Sequence, residues 1–328
     1  MNQYVIDRCS DAIKTEMAAR YSLRFDELTD LGGFESFVYE GVLNGEPVII
    51  KLGHEHRRSL DMLHAEAEFT RFLQTHGVNV CAAIASPNGN LVEPIDDGVD
   101  SRFMAVAWTK ASGVRPDDHT DDPAFWHGHG ALVGTIHAQS HRFTPSTPER
   151  TRPHWDDPLL LDDSLHIPES DDTAIRETAR LLTELRSFDR GPAGYGLVHY
   201  DAHLWNVHVD HGEITLFDFD DCGYTWFVND LAVVMYHSLM SHDDPAADAA
   251  RIWPPFIAGY RTAHQLDPHW FTLFPTFLAW RDHLIYSVLC RSRDAIDDVD
   301  IDSWIERFTA RHAIGAPLID YDFTTGTR

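Results

Sequence analysis

The chain has 328 residues, and its 52 Asp and Glu against 26 Lys and Arg give a formal charge of −26 at pH 7. With 43% hydrophobic residues it has the apolar content of a globular protein of about two domains. So large an excess of acid repels phosphate backbones and anionic lipid heads, which argues against a partner made of nucleic acid or membrane surface.

The opening segment predicts a helix, because Ile13, Met17 and Tyr21 recur every four residues. From about residue 27 the run LTDLGGFESFVYEGVLNGEPVIIKL predicts an antiparallel meander of three strands, with Asn44-Gly45 as a hairpin turn and Lys51 at the end of the third strand. A helix follows over SLDMLHAEAEFTRFLQTHG, with Leu63, Phe69, Phe72 and Leu73 on one side and Gly77 at its end. The runs NVCAAIA, NLVEPI and RFMAVAW predict strands, and TKASGVRP has the polar, Gly/Pro texture of a connector. Beyond it the chain reads as helix, apart from two short β-like pieces, YGLVHYD and HGEITLFDF. The expected layout is therefore a β-rich lobe over 1–108, a hinge over 109–115 and a larger helical lobe over 116–328. The acidic runs DDVDIDSW and SHDDPAADAAR suit solvated faces and helix caps.

Four cysteines, Cys9, Cys81, Cys222 and Cys290, form no C-x-x-C pair, so neither a zinc ribbon nor a disulfide framework is expected. The first twenty residues mix charge with apolar residues, unlike a signal peptide, and no run has the ~18 apolar residues of a membrane helix. These features point to a cytoplasmic protein. The twenty-one histidines include His54/His56, His127/His129 and His137/His141, but H-E-x-x-H is absent and a zinc site is not expected.

The chemistry concentrates in GLVHYDAHLWNVHVDHGEITLFDFDDCG, residues 196–223. It holds His199-x-Asp201, then Asn206 five residues later, then Asp218 between apolar neighbours. Phosphoryl transfer needs this set of groups: one carboxylate orients the attacking hydroxyl and takes its proton, while an amide and a second carboxylate hold a divalent metal. Asp201 is the candidate base, Asn206 and Asp218 the candidate metal ligands, and a loop-strand-turn-strand unit would gather all three in one cleft.

The string His199-Tyr200-Asp201-Ala202-His203-Leu204-Trp205-Asn206 resembles the H-G-D-x-H-x-x-N catalytic loop of the aminoglycoside phosphotransferase and choline kinase-like family, a branch of the protein-kinase-like fold. Phe217-Asp218-Phe219-Asp220-Asp221 is similar to its I-D-F-D-D metal strand, and Asn229-Asp230-Leu231-Ala232 to its Y-D-L-A. Tyr200 departs from the pattern, since the family usually has glycine there. The resemblance implies a bilobal α+β kinase fold, an antiparallel sheet lobe and a helical lobe, with ATP and Mg2+ as cofactors and a small-molecule hydroxyl as phosphate acceptor. It leaves monomer and homodimer open.

A kinase-like fold also implies a lysine on the third strand and a glutamate on the next helix, and Lys51 and Glu66 fit, with Glu68 as competitor if the helix phase shifts. Only Lys14, Lys51 and Lys110 are lysines, so Lys51 comes from a small pool. Gly32, Gly33 and Ser36 resemble the degenerate glycine loop of the aminoglycoside kinase branch, whose backbone N–H groups meet phosphates; a plain β-turn explains them as well. By the same resemblance the hinge strand runs from Trp108 to Ala111, with backbone groups of Thr109 and Ala111 beside adenine. His203 lies within the catalytic loop, and Asp221, Tyr224, Trp226 and Arg281 are candidate acceptor contacts. Carboxylates beside aromatics suit a cationic amine or amino alcohol, and Arg281 a carboxylate-bearing acceptor such as an amino acid. An aminoglycoside, amino alcohol or amino acid is the expected acceptor class. The rival readings are a protein Ser/Thr kinase of the stress-response type and a non-catalytic nucleotide-binding regulatory module.

Overall fold

A computed structural model describes residues 3–161, 166–293 and 301–327. Residues 297–300 of the acidic run DDVDIDSW lie outside the described residues. By contacts the chain divides into unit 1, made of 1–113, 143–152 and 215–220, and unit 2, made of 114–142, 153–214 and 221–328.

Unit 1 opens with α1 (Gln3–Arg8) and α2 (Asp11–Arg20), followed by β1 (Thr29–Gly32), β2 (Phe37–Leu43) and β3 (Glu46–His54). Helix α3 (Leu60–Thr75) follows, and β4 (Ala83–Ile84), β5 (Glu93–Asp96) and β6 (Arg102–Thr109) complete the sheet. NVCAAIA contributes only the two residues of β4. The order is β1-β2-β3-β6-β4 with β5 also on β6, all antiparallel. Asn44 and Gly45, at φ 55° and 87°, make the two-residue turn whose left-handed residues match the twist of the β2–β3 hairpin.

The two-residue period of β3 decides which side chain meets which layer. Val48, Ile50 and Leu52 face α2, in a core with Ile13, Met17, Tyr21, Tyr39, Phe103 and Ala105. The alternate residues Ile49 and Lys51 therefore point to the other face, where Ile49, Met104, Val106 and Trp108 pack with Leu63 and Ala67 of α3. Ser59 caps α3 by accepting from the Met62 N–H, and Gly77 at φ 78° ends it, with the Val78 N–H closing onto Leu73.

Unit 2 contains α4 (Pro123–Ser140), α5 (Pro158–Leu161) and α6 (Asp172–Ser187), then β7 (Tyr195–Val198) and β8 (Val207–Asp210). Strand β9 (Glu213–Leu216) carries the chain from unit 2 into unit 1, and β10 (Gly223–Trp226) returns to unit 2. Four strands thus occupy the region where the sequence suggested two short β pieces. They are too short for alternation to be legible, and β7 is buried at every position. Helices α7 (Phe227–Leu239), α8 (Pro245–Ala263), α9 (His269–Thr272), α10 (Phe274–Ser292) and α11 (Ile301–Ala313) complete the unit. Asp244, in the second acidic run, caps α8. Helices α4 and α8 cross at close range because glycines face backbone: a Cβ on Gly130 would stand 1.9 Å from the Phe256 carbonyl oxygen, and one on Gly259 1.9 Å from that of His127. Among the described residues no helix is long and apolar enough to cross a membrane.

Candidate active site

In unit 1 the strand pleat delivers Lys51 to the α3 face, and its Nζ lies 2.5 Å from Asp218 Oδ1. Asp218 reaches it because segment 215–220 is stitched to the unit: the Cys81 N–H donates to the Leu216 carbonyl at 3.1 Å and the Leu216 N–H to that of Asn79 at 3.2 Å. Asp218 has φ 66°, a left-handed conformation rare outside glycine and the short polar residues, which aims its carboxylate out of the strand direction. Burial works against the Lys51 charge, but Asp218, Glu66 and Asp220 outweigh it and hold the ammonium above the ordinary lysine range.

Glu66 is buried on α3 and feels Lys51, yet the ammonium's close partner is Asp218 rather than Glu66. Burial, reinforced by Asp220, pushes the Glu66 carboxyl up to about 8 against the opposing pull of Lys51 and Arg152. Glu68 turns elsewhere: its carboxylate accepts from the Ser146 hydroxyl at 2.7 Å and from Arg150. Asp220, two residues past Asp218, pairs with Arg57 and Arg58, while Arg152 donates to its backbone oxygen at 2.5 Å and to that of Met62 at 3.1 Å. Sequence reasoning missed these arginines, for their partners lie 68 to 163 residues away and no local spacing joins them.

Gly32 is left-handed at φ 73° and donates to Asp30 Oδ1 at 2.8 Å. A Cβ on Gly33 would stand 2.0 Å from the Ser36 carbonyl oxygen, so only glycine lets the loop fold this tightly. Thr109 gives its N–H to the Ala82 carbonyl at 3.0 Å, and its hydroxyl accepts from the Ala82 N–H at 3.0 Å. The Thr109 N–H and hydroxyl are thus both used within unit 1. Ala111 follows, buried.

In unit 2, pairing of β7 with β10 through Val198 and Gly223 sets the start of the candidate catalytic loop. Tyr200 then adopts φ 70°, where the resembling family has glycine, and its N–H donates to Asp230 Oδ1 at 2.8 Å. Asp230, fully buried on α7, is itself fixed by His137 of α4, whose Nε2 lies 3.0 Å from its Oδ2. The Tyr200 phenol is buried, pushed up to about 12, and hydrogen-bonded by Trp280. His137 thus spends one nitrogen on Asp230 and the other on Tyr260, a structural role.

Asp201 comes next. Its Oδ1 lies 2.5 Å from Arg281 Nη2, and its Oδ2 lies 3.0 Å from His203 Nε2 and 3.3 Å from Asn206 Nδ2. Burial would raise this carboxyl, but His203 and Arg281 hold it well below the usual carboxylate range. The Asn206 amide nitrogen also donates to the Asp201 backbone oxygen at 3.0 Å, leaving the amide oxygen as the atom suited to a hard cation. Arg281 Nε donates to His237 Nε2 at 2.9 Å, and since a guanidinium only donates, the His237 ring proton sits on Nδ1. Burial, Arg281 and His203 push His237 well below the ordinary histidine range, so the ring is neutral. His237 was not anticipated, although it lies seven residues after Asp230, on the same face of α7.

The remaining acceptor candidates divide. Tyr224 is half-buried and stacks on His154 with centroids 5.0 Å apart, and Asp221 lies half-buried in the preceding turn. Trp226 is corrected: its indole N–H donates to the Asp189 carbonyl at 2.7 Å and its rings pack against Trp155, Tyr195 and Phe277, which makes it a core residue closed to a ligand.

A sheet lysine beside a carboxylate on one unit, and on the other a loop carboxylate with an adjoining asparagine, define a class: the kinase-like phosphotransferases. A family model described as the phosphotransferase enzyme family matches residues 27–268. The chain is 35% identical to amicoumacin kinase of Bacillus subtilis (strain 168) over 283 residues, 85% of this chain and 84% of that protein. A solved structure of amicoumacin kinase hAmiN in complex with AMP-PNP, Ca2+ and Ami superposes with a TM-score of 0.93 at 29% identity, covering 98% of this chain and 99% of that one. A microcompartment-associated aminopropanol kinase shares the fold at a TM-score of 0.75 and 21% identity, covering 92% and 95%. The chain belongs to the phosphotransferase enzyme family. It is a kinase of α+β kinase-like fold that uses ATP and a divalent metal ion to phosphorylate an alcohol group of a small molecule.

Proposed function

We propose that Asp201 orients the acceptor hydroxyl and takes its proton as the γ-phosphate moves to it. The observation that carries this is the position of Asp201: it follows a left-handed residue pinned to buried Asp230, and Arg281 and His203 keep it ionised. A carboxylate so acidic is a weak base, so its main effect is alignment of the hydroxyl, with the proton following once the bond to phosphorus forms.

Lys51 contacts the nucleotide phosphates, a role its pairing with Asp218 supports, since an ammonium so placed exchanges one anionic oxygen for another. Glu66 stays buried beside it, so that its own protonation and the charge of the ammonium are linked. The loop of Gly32, Gly33 and Ser36 lines the phosphates, and Ala111 meets the adenine edge. The donor set suits Mg2+: Asn206 offers an amide oxygen and Asp218 a carboxylate, both hard ligands, with phosphate and water completing the shell. When bound, the metal neutralises charge on the phosphates. His203, Arg281, Asp221 and Tyr224 border the acceptor. The relatedness to amicoumacin kinase makes amicoumacin the first acceptor to try, ahead of aminoglycosides, amino alcohols and amino acids.

The test is ADP release with amicoumacin and a panel of such alcohols. Asp201→Asn and Asp218→Asn lower turnover by on the order of 10²–10⁴-fold with the fold intact by circular dichroism. Undiminished turnover in either variant refutes the assignment.

A further inference from the structure

We propose that Arg57 is a further nucleotide-binding residue, donating to the γ-phosphate of ATP; this rests on the reading of unit 1 as the nucleotide-binding part. Arg57 stands in the turn between β3 and α3, its N–H on the His54 carbonyl at 3.0 Å. Its guanidinium joins two elements that are far apart in sequence. Nε lies 3.3 Å from Glu35 Oε2, in the glycine loop, and Nη1 pairs with Asp220, two residues beyond Asp218. In kinases the glycine-rich loop covers the phosphates and the metal-strand carboxylate marks their outer end. A cation that bridges these two elements is at the level of the terminal phosphate rather than the adenine.

Unit 1 gathers Lys51, Arg57, Arg58 and Arg152 around Glu35, Glu66, Asp218 and Asp220. Two of the arginines are committed to the fold. Arg152 is almost fully buried and binds main-chain oxygens of Met62 and Asp220, and the Arg58 side chain is only 11% exposed. The Arg57 side chain is 27% exposed. Because Arg58 also holds Asp220, at 3.4 Å, the carboxylate keeps a partner when Arg57 turns its Nη groups toward phosphate. Only an arginine can do this while Nε stays on Glu35, because the guanidinium presents donors on two edges. In a chain of charge −26 with three lysines, a second phosphate-facing cation beside Lys51 meets a real electrostatic need.

Calorimetry on the full chain, with Mg·ADP and Mg·AMP-PNP, tests this in the wild type and in Arg57→Ala, Arg57→Lys and Glu35→Gln. Arg57→Ala weakens AMP-PNP by on the order of 10-fold or more, the worth of a charged hydrogen bond, and leaves ADP within about 3-fold. Arg57→Lys restores part of the difference, and Glu35→Gln preserves it. Equal weakening of both nucleotides, or the same selective loss in Glu35→Gln, means that Arg57 merely braces the loop and overturns the proposal. Unchanged binding in Arg57→Ala overturns it too, with the nucleotide reading intact. A wild type that binds neither nucleotide refutes that reading and the role of Arg57 together.

Discussion

Replacing Asp230 with alanine removes the acceptor shared by two buried donors. The Tyr200 N–H at 2.8 Å and His137 Nε2 at 3.0 Å lose a charged partner in a site with no exposed surface. Each hydrogen bond to a charged acceptor is worth about 1.5–3 kcal/mol, and the orphaned donors have no water to replace it. Tyr200 is also held at φ 70°, which for a non-glycine residue costs about 1–2 kcal/mol, and release of the loop recovers part of this. The net expectation for Asp230→Ala is a loss of about 2–4 kcal/mol in urea unfolding. Asp230→Asn costs about 1–2 kcal/mol, because its oxygen serves Tyr200 while its amide meets His137 in the other tautomer, with Tyr260 then accepting from Nδ1. Turnover falls further than stability. Asp201, the proposed base, adjoins Tyr200, and a shift of about 1 Å in a group with that role costs on the order of 10²-fold. The assays are equilibrium unfolding in urea and ADP release with the best acceptor. An Asp230→Ala protein within about 0.5 kcal/mol of wild type and of normal turnover would refute the idea that this carboxylate holds the catalytic loop.

Gly33→Ala forces the loop away from the Ser36 carbonyl, and nucleotide affinity measured by calorimetry drops several-fold while the melting temperature changes little; an unaltered affinity would count against the loop as a phosphate cradle. Trp226→Phe loses the indole bond to Asp189 and lowers stability by about 1 kcal/mol, with the acceptor KM unchanged, as befits a core residue. His129 is fully buried and depressed to about 4 by burial, so it folds neutral. A depressed histidine contributes stability that is present above its unfolded value near 6.5 and lost as pH falls toward 4. Over that window the wild type loses about 3 kcal/mol through this group, and urea titrations of His129→Gln show a correspondingly flatter pH profile. Arg281→Met strips one oxygen of Asp201 of its partner and lowers turnover more than it raises the acceptor KM if the arginine positions the base; a change confined to KM would mark it as an acceptor contact alone.

Much of the candidate site was legible because its groups sit in short segments whose spacing is local. Asp201, His203 and Asn206 lie within one loop, and the hydrogen bonds among them span two to five residues. Lys51 was legible as the end of the third predicted strand, where the kinase-like resemblance implies a lysine, and the strand period of β3 sends it to the α3 face. Arg57, Arg58, Arg152 and His237 were not, because their partners are brought in from distant segments. Trp226 was misread because an aromatic beside acidic residues looks alike in a pocket wall and in a core.

The sequence by itself carried the resemblance that implies the kinase-like fold and named the candidate groups for moving a phosphate, since loop motifs and their spacing are properties of neighbouring residues. Only the tertiary structure decided how those groups are electrically tuned. Lys51 rests on Asp218 with Glu66 behind it, Asp201 is held between Arg281 and His203, and Tyr200 occupies a glycine's conformation because Asp230 pins its N–H. Each of these states depends on at least one charge or acceptor that folding brings within a few ångströms from a segment 30 to 167 residues away. At such distances, with burial removing the water that would screen them, a single neighbour fixes whether a side chain is charged and where it points.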